Sequence, residues 1–369
     1  MKLAIVRQTY NPNGGAERFV SRALNVLSQS GELDVTLIAR KWENAAGWQT
    51  LTVNPPFRNR QAREAGFARE AAALFSQFDI VQSHERIPGA TIFRAGDGVH
   101  ATWLEQYSRI LSPLRRWTQS LSPYHRYILQ AEREMFTHPQ LRTVICNSKM
   151  VRDDIARRFR LAPEKLTVIY NGVDTAAFHP DVRKLSQREA WNIPADAPVL
   201  AYVGSGFSRK GVAVALNAIV AHPTVWLLVA GRDKHARRFE ALATKLGVAA
   251  RVKFLGPVDN IKQVYGSADA LMLPTLYDPF PNVCVEALAC GLPLITSTQC
   301  GAAEWIEEGK NGWVRDALDV DGYRDAIAQW LAGRARGEDY SLAARHTAEP
   351  FTLDRMADEL NALYRALMR

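Results

Sequence analysis

From its first residues the chain alternates short β-branched and aliphatic runs with longer stretches of helical periodicity, at 3–7, 16–29, 33–39, 61–77 and 80–83. This alternation constrains the fold more than any other feature, because strands interleaved with helices make βαβ units and hence parallel sheets. It continues through a strand at 91–95, helical stretches near 101–137, a strand at 143–146, a helix from Lys149 and a strand at 166–169. A polar, proline-punctuated stretch at 171–198 intervenes. A second cycle opens at 199–203 and runs on with strands at 225–230, 252–255, 270–273 and 293–296, each followed by a helix-like segment. The cycles share a grammar but no short repeat, which argues against a solenoid.

A chain of 369 residues exceeds one ordinary core and suits two. With 47% hydrophobic and 23% charged residues it can fill both interiors. The reading is therefore two Rossmann-like domains, at 1–170 and 171–351. After Pro350 a last amphipathic helix, about 352–368, carries Leu353, Met356, Leu360, Leu363, Tyr364 and Leu367 on one face, and 352–369 is expected to return to the first domain. Arg7 cuts the first apolar run short of a signal-peptide core, and no segment approaches the roughly 20 apolar residues of a membrane span. Cys146, Cys284, Cys290 and Cys300 form neither a C-x-x-C pair nor a metal-ligand spacing, so a reducing cytoplasm fits best.

Open α/β sheets bind ligands at the carboxyl ends of their strands, which directs attention to four loops. Asn13-Gly14-Gly15-Ala16-Glu17-Arg18 follows the first strand; its glycines let backbone amides approach a phosphate or sugar, although a plain strand-to-helix turn reads the same way. Gly204-Ser205-Gly206-Phe207-Ser208-Arg209-Lys210-Gly211 joins flexible amides to two adjacent cations, a composition suited to pyrophosphate. It is not a Walker loop, since Val212 and Ala213 follow the glycine, nor a dinucleotide fingerprint, since Arg209 stands at the third glycine's place. Gly231-Arg232-Asp233-Lys234 repeats the theme after the next strand. The most specific element runs from Asp278 through Phe280, Pro281, Asn282, Val283 and Glu286 to Pro293. Its two acids, separated by seven residues, flank the start of a helix, so the loop can meet a sugar while the helix amides meet phosphate.

In this order the motifs resemble the retaining glycosyltransferases of family 4, which have the GT-B fold: two Rossmann-like domains with parallel sheets facing a cleft and a C-terminal helix returning to the first domain. The resemblance covers nearly the whole chain. It rests on Gly14-Gly15, on Asn171-Gly172-Val173-Asp174 at the domain junction, on Arg209-Lys210 and on the acid-x₇-acid element. The segments 204–211, 231–234 and 238–243 look most like the lipopolysaccharide-core glucosyltransferases acting on inner-core heptose. The family usually has Glu at the first acidic position; this chain has Asp278, shorter by one methylene.

The resemblance implies a nucleotide-sugar donor, UDP-glucose foremost, held by Gly14, Gly15, Gly204, Ser205, Gly231, Arg232, Lys234 and the 280–283 segment. Arg209 and Lys210 would neutralise the leaving diphosphate, Glu286 would meet the ribose and Asp278 the sugar hydroxyls. It also implies front-face displacement with retention, and neither cofactor nor divalent metal, the two cations doing the electrostatic work. On the acceptor side Asp97, in Arg-Ala-Gly-Asp-Gly-Val-His, ranks ahead of His84 and His100 as the group that orients the reacting hydroxyl or takes its proton.

The formal charge of +8 is uneven: residues 1–170 hold 24 Lys/Arg against 15 Asp/Glu, and the remainder 22 against 23. Such a half attracts an anionic membrane, an anionic acceptor or nucleic acid. The segment 106–131 combines Arg109, Arg115, Arg116 and Arg126 with Tyr107, Trp117, Tyr124 and Tyr127 and contains no acid, a composition fit for an anionic membrane surface. A peripheral enzyme at the inner face of the cytoplasmic membrane is the resulting expectation, with no nucleic-acid partner. A dinucleotide-dependent oxidoreductase is the alternative from another class, and a sugar-nucleotide epimerase one that shares the fold.

Overall fold

The computed structural model describes residues 1–10, 34–42, 49–184 and 186–368. Its chain divides into two compact units, Met1–Asn171 with Leu353–Arg369, and Gly172–Thr352.

The first unit holds strands β1 (Lys2–Val6), β2 (Thr9–Tyr10), β3 (Asp34–Ala39), β4 (Lys41–Trp42), β5 (Gln49–Thr52), β6 (Ile80–Ser83), β7 (Ile92–Arg94), β8 (Thr143–Cys146) and β9 (Leu166–Val168). Seven of them form one sheet in the order β5-β3-β1-β6-β7-β8-β9, and β2 pairs with β4 separately. Every pairing is parallel. The inner strands are buried along nearly their whole length, as expected where both faces are covered.

Its helices are α1 (Arg60–Ala72), α2 (His100–Ser108), α3 (Pro113–Ser120), α4 (Pro123–Thr137) and α5 (Lys149–Phe159). The helical stretch near 101–137 is thus three helices. Pro113 and Pro123 each sit at a helix start, where a missing amide hydrogen costs nothing, and neither could continue a preceding helix. Asn59 and Ser148 cap α1 and α5 by accepting from Ala62 N at 2.8 Å and Val151 N at 3.2 Å.

The last helix, Leu353–Met368, belongs to this unit. Met356, Ala357, Leu360 and Tyr364 share one buried cluster with Leu3, Ile5, Val35, Leu37, Ile80, Ile92 and Ile145, and Leu353, Leu363 and Leu367 pack at its rim. The six residues read as one apolar face all reach that cluster. Tyr364 donates its hydroxyl to Gln82 Oε1 at 2.6 Å, which supplies the buried phenol with its polar partner.

The second unit holds β10 (Val199–Val203), β11 (Trp226–Ala230), β12 (Val252–Gly256), β13 (Ala270–Leu273), β14 (Leu294–Ser297) and β15 (Gly312–Arg315), in the order β12-β11-β10-β13-β14-β15. All are parallel. Around them lie α6 (Phe207–Lys210), α7 (Val212–Ala218), α8 (Ala236–Lys245), α9 (Ile261–Ser267), α10 (Asn282–Ala289), α11 (Val320–Ala335) and α12 (Tyr340–Ala348). The strand order reverses between β10 and β13, so the loops after these strands and β11 converge at a switch point, where open sheets bind ligands.

Beside β10 lies an ionic knot. Asp269 takes Arg183 at 2.6 Å, Arg188 at 2.9 Å, Arg334 at 3.2 Å and the Val199 amide at 2.9 Å. Burial pushes its carboxyl up, but Arg334, Arg188, the amide and Arg183 together hold it below the ordinary value.

Candidate functional site

At the carboxyl end of β10 the chain turns through Gly204 (φ +152°) and Gly206 (φ +81°) into α6, conformations that glycine alone adopts readily. A side chain at Gly204 would place its Cβ 2.7 Å from Lys210 Cδ, so the bare glycine leaves room for the lysine stem. Gly231 (φ +142°) follows β11, and a Cβ there would collide with the Gly204 carbonyl. The two loops therefore touch backbone to backbone. Asp233 fastens them by accepting from Phe207 N and His235 N, each at 2.7 Å, and Ser205 Oγ accepts from Arg232 N at 3.2 Å.

Lys210 is nearly buried, and its ammonium lies 3.0 Å from Asp278 Oδ2. Arg209 approaches the same oxygen at 3.9 Å from a more exposed position. Asp278 is fixed by its backbone: its amide donates to Gln299 O at 3.0 Å, and its carbonyl accepts from Gly301 N at 2.9 Å. Two cations and one carboxylate thus meet at the switch point. The buried ammonium is tolerable because the carboxylate compensates it.

Glu286 lies on α10, one turn in. Tyr265, from α9, donates its hydroxyl to Glu286 Oε2 at 2.8 Å. Burial, and then the Glu286 charge, push the Tyr265 phenol well above its ordinary value, so it remains a donor. The bond fixes the carboxylate while the half-buried Glu286 stays accessible to a hydroxyl-bearing ligand. The N-cap of α10 is Pro281, whose side chain has no oxygen with which to cap the first amides. Asn282 and Val283 stand in this first turn, half-buried.

Phe280 and Pro281 are buried, and Phe280 packs edge-on against Trp305 with centroids 4.7 Å apart. The Phe280 ring is held in place by this contact. Arg232 and Lys234 are exposed on the β11 loop. Asp233 and Tyr265 escaped the sequence reading. An Asp two residues after a strand-end glycine is a signal for a loop clasp; the tyrosine offered none.

In the first unit, Gly14 and Gly15 lie outside the described residues. Asp97, after β7, is exposed and lines a polar recess of about 350 Å³ shared with Arg7, Arg40, Glu85, Tyr124 and Tyr127. His84 is half-buried, 3.4 Å from Arg7 through Nδ1 and 3.1 Å from Gln82 through Nε2. Burial, with Arg7 and Arg94 nearby, holds its imidazole well below the ordinary value and hence neutral at pH 7. His100 lies apart from the recess lining, stacked on Trp103 at 5.7 Å and 3.1 Å from His125. Burial, then Arg86, His125 and Arg60, bring it down to about 3.

Within 106–131, Arg109, Arg115, Arg116 and Arg126 are all exposed, and α3 exposes Leu114 (70%) and Trp117 (61%). The tyrosines of this segment are half-buried rather than fully exposed. Tyr107 stacks on Trp103 and Tyr124 lies under the Arg60 guanidinium, where aromatic faces gain packing that solvent would not give. Tyr127 is half-buried. All four cysteines are buried and free. No helix among the described residues is long and apolar enough to cross a membrane.

Two family models match this chain: Glycosyltransferase Family 4 over residues 13–177 and Glycosyl transferases group 1 over 183–347. The lipopolysaccharide glucosyltransferase WaaG of Escherichia coli K12 is 26% identical over 332 residues, 85% of each chain. A D-inositol 3-phosphate glycosyltransferase of Mycobacterium leprae is 30% identical over 315 residues, 82% of this chain and 72% of its own. Among solved structures, WaaG, a glycosyltransferase involved in lipopolysaccharide biosynthesis, matches with TM-score 0.81 at 23% identity, over 97% of this chain and 98% of its own. Anabaena HepE in complex with UDP-glucose matches with TM-score 0.73 at 17% identity, over 99% and 100%.

Proposed function

The chain belongs to the family 4 glycosyltransferases of GT-B fold, and from that premise we propose that it transfers glucose from UDP-glucose, or a close nucleotide hexose, to a saccharide acceptor with retention and without a metal ion. One observation carries the donor reading: Lys210, Arg209 and Asp278 meet at the switch point of the second sheet, one loop away from the Glu286 carboxylate held by Tyr265. The cations oppose the charge that grows on a departing diphosphate, which is where preorganised electrostatics lowers a barrier most. An arriving diphosphate competes with Asp278 for Lys210, freeing the carboxylate to accept from sugar hydroxyls. Glu286, oriented by the phenol, accepts from a ribose. The UDP-glucose complex of HepE and the glucosyltransferase name of WaaG favour this donor.

The acceptor we infer is lipopolysaccharide inner-core heptose, by the likeness to WaaG, with Asp97 beside the reacting hydroxyl. Such an acceptor is lipid-anchored, so the enzyme works at the inner face of the cytoplasmic membrane, and the arginines and apolar side chains of α3 offer the contact. The test is a panel of UDP-, ADP-, GDP- and dTDP-sugars in a chelator, read by thermal shift and then by hydrolysis, with the anomer of the first product followed by NMR. UDP-glucose should stabilise most and release α-glucose. Stabilisation by another nucleotide alone, a metal requirement, or β-glucose as first product would each overturn the corresponding part.

A further inference from the structure

The recess of the first unit carries a second chemical message. Two of its four arginines have carboxylate partners: Arg63 meets Glu64 at 2.8 Å and Arg86 meets Glu132 at 2.9 Å. Arg40 differs. Its Nε and Nη2 donate to Asn54 Oδ1 at 3.2 and 2.9 Å, and its guanidinium lies 4.7 Å from the Phe57 ring centroid. Among the described residues no carboxylate pairs with it. A planar cation fixed by two neutral neighbours keeps its full charge, with three of its five N–H donors uncommitted to those bonds. Arg7 lines the same recess, its Nε donating to Thr9 O at 3.1 Å and its Nη1 3.4 Å from His84 Nδ1. The same recess holds acceptors. Asp97 is exposed, and Glu85 is held by the Gln8 amide at 3.0 Å through one oxygen. Its volume, about 350 Å³, falls in the small-molecule range of about 300–1,000 Å³.

We propose that this recess binds the anionic group of a charged sugar, a phosphate or carboxylate seated on Arg40 beside Arg7, while Asp97 and Glu85 accept from the hydroxyls of the same sugar. The acceptor class is then an anionic saccharide, a conclusion that rests on the glycosyltransferase reading for its place in catalysis and on the recess alone for binding. Burial first, then Asp97 and Glu64, raise the Glu85 carboxyl above the ordinary value, against the Gln8 amide and Arg7, which lower it.

The test is equilibrium binding to the full chain of a hexose 6-phosphate, a hexuronate, the methyl hexoside and inorganic phosphate, with wild type, R40Q, R40K and D97N. Wild type should bind one of the charged sugars at least about 10-fold more tightly than the neutral hexoside or inorganic phosphate, and the better of the two identifies the anion. R40Q should lose about 10-fold or more of that affinity, the cost of one charge-assisted hydrogen bond, and R40K should fall between. D97N reads the hydroxyl grip without touching Arg40 and should weaken both charged sugars and the neutral one. Equal binding of neutral and charged sugars, no binding by wild type, or R40Q indistinguishable from wild type would overturn the proposal. Wild-type hydrolysis of UDP-glucose, measured alongside, separates the readings: its absence with charged-sugar binding intact removes the donor assignment and leaves the recess standing.

Discussion

At the scale of single residues, chemistry and backbone conformation are set together. Lys210 reaches Asp278 because Gly204 has no side chain, and the loops after β10 and β11 touch because Gly231 has none. Gly231→Ala should therefore strain a positive-φ position and push against the Gly204 carbonyl, costing about 1–3 kcal/mol or opening the loop pair. Chemical denaturation combined with donor affinity checks this, and a variant as stable and tight-binding as wild type would show the contact to be unimportant. Replacing Arg209 and Lys210 together by Ala should lower kcat by about 10²–10³ if the cations stabilise the leaving diphosphate. A change of only a few-fold would make them a solvated turn. The sequence displayed these cations and both acids plainly, since charge beside glycine at a strand end is a local signal. It hid Arg40, Glu85 and Tyr265, whose roles come from partners distant in the chain: Asn54, Gln8 and Glu286.

Elements tell the same story at longer range. The buried strands were legible because continuous apolar runs leave few other readings, whereas β5 (Gln49–Thr52) was not: it is an exposed edge strand whose polar residues carry no burial pattern. Edge strand β15 was missed likewise; half of its residues are only partly buried. Helix α3 is the element with a surface to spare, since none of its residues is buried. Near an anionic bilayer each exposed arginine is worth about 1 kcal/mol, falling with salt. The protein should cosediment with anionic but not zwitterionic vesicles, and less so at high salt. Changing Arg109, Arg115, Arg116 and Arg126 to Gln should abolish most of that binding while donor hydrolysis, which the proposed function assigns to the second unit, persists. Vesicle binding undiminished in the quadruple variant would assign the membrane contact elsewhere.

Across the whole molecule, two parallel sheets and a returning helix provide the frame, and the Asp269 knot secures the second unit against β10. Its carboxyl lies below the ordinary value in the folded state, so it contributes stability above the unfolded pKa of about 3.9, and that contribution drains away as pH falls from there through the folded value. Asp269→Asn should cost about 3–5 kcal/mol near pH 7, since it leaves the buried Arg188 guanidinium without its carboxylate, and the deficit should shrink in acid. Denaturant titrations at both pH values decide this; a constant deficit would mean that the charge does not matter. The central claim concerns the donor, and calorimetric titration of UDP-glucose into wild type and Glu286→Ala, with a chelator present, tests it most directly. The account predicts binding to wild type without metal and a loss of roughly 10- to 150-fold in the variant, the value of a hydrogen bond to a charged acceptor. Equal affinity in the two proteins, or no wild-type binding until metal is added, would contradict it.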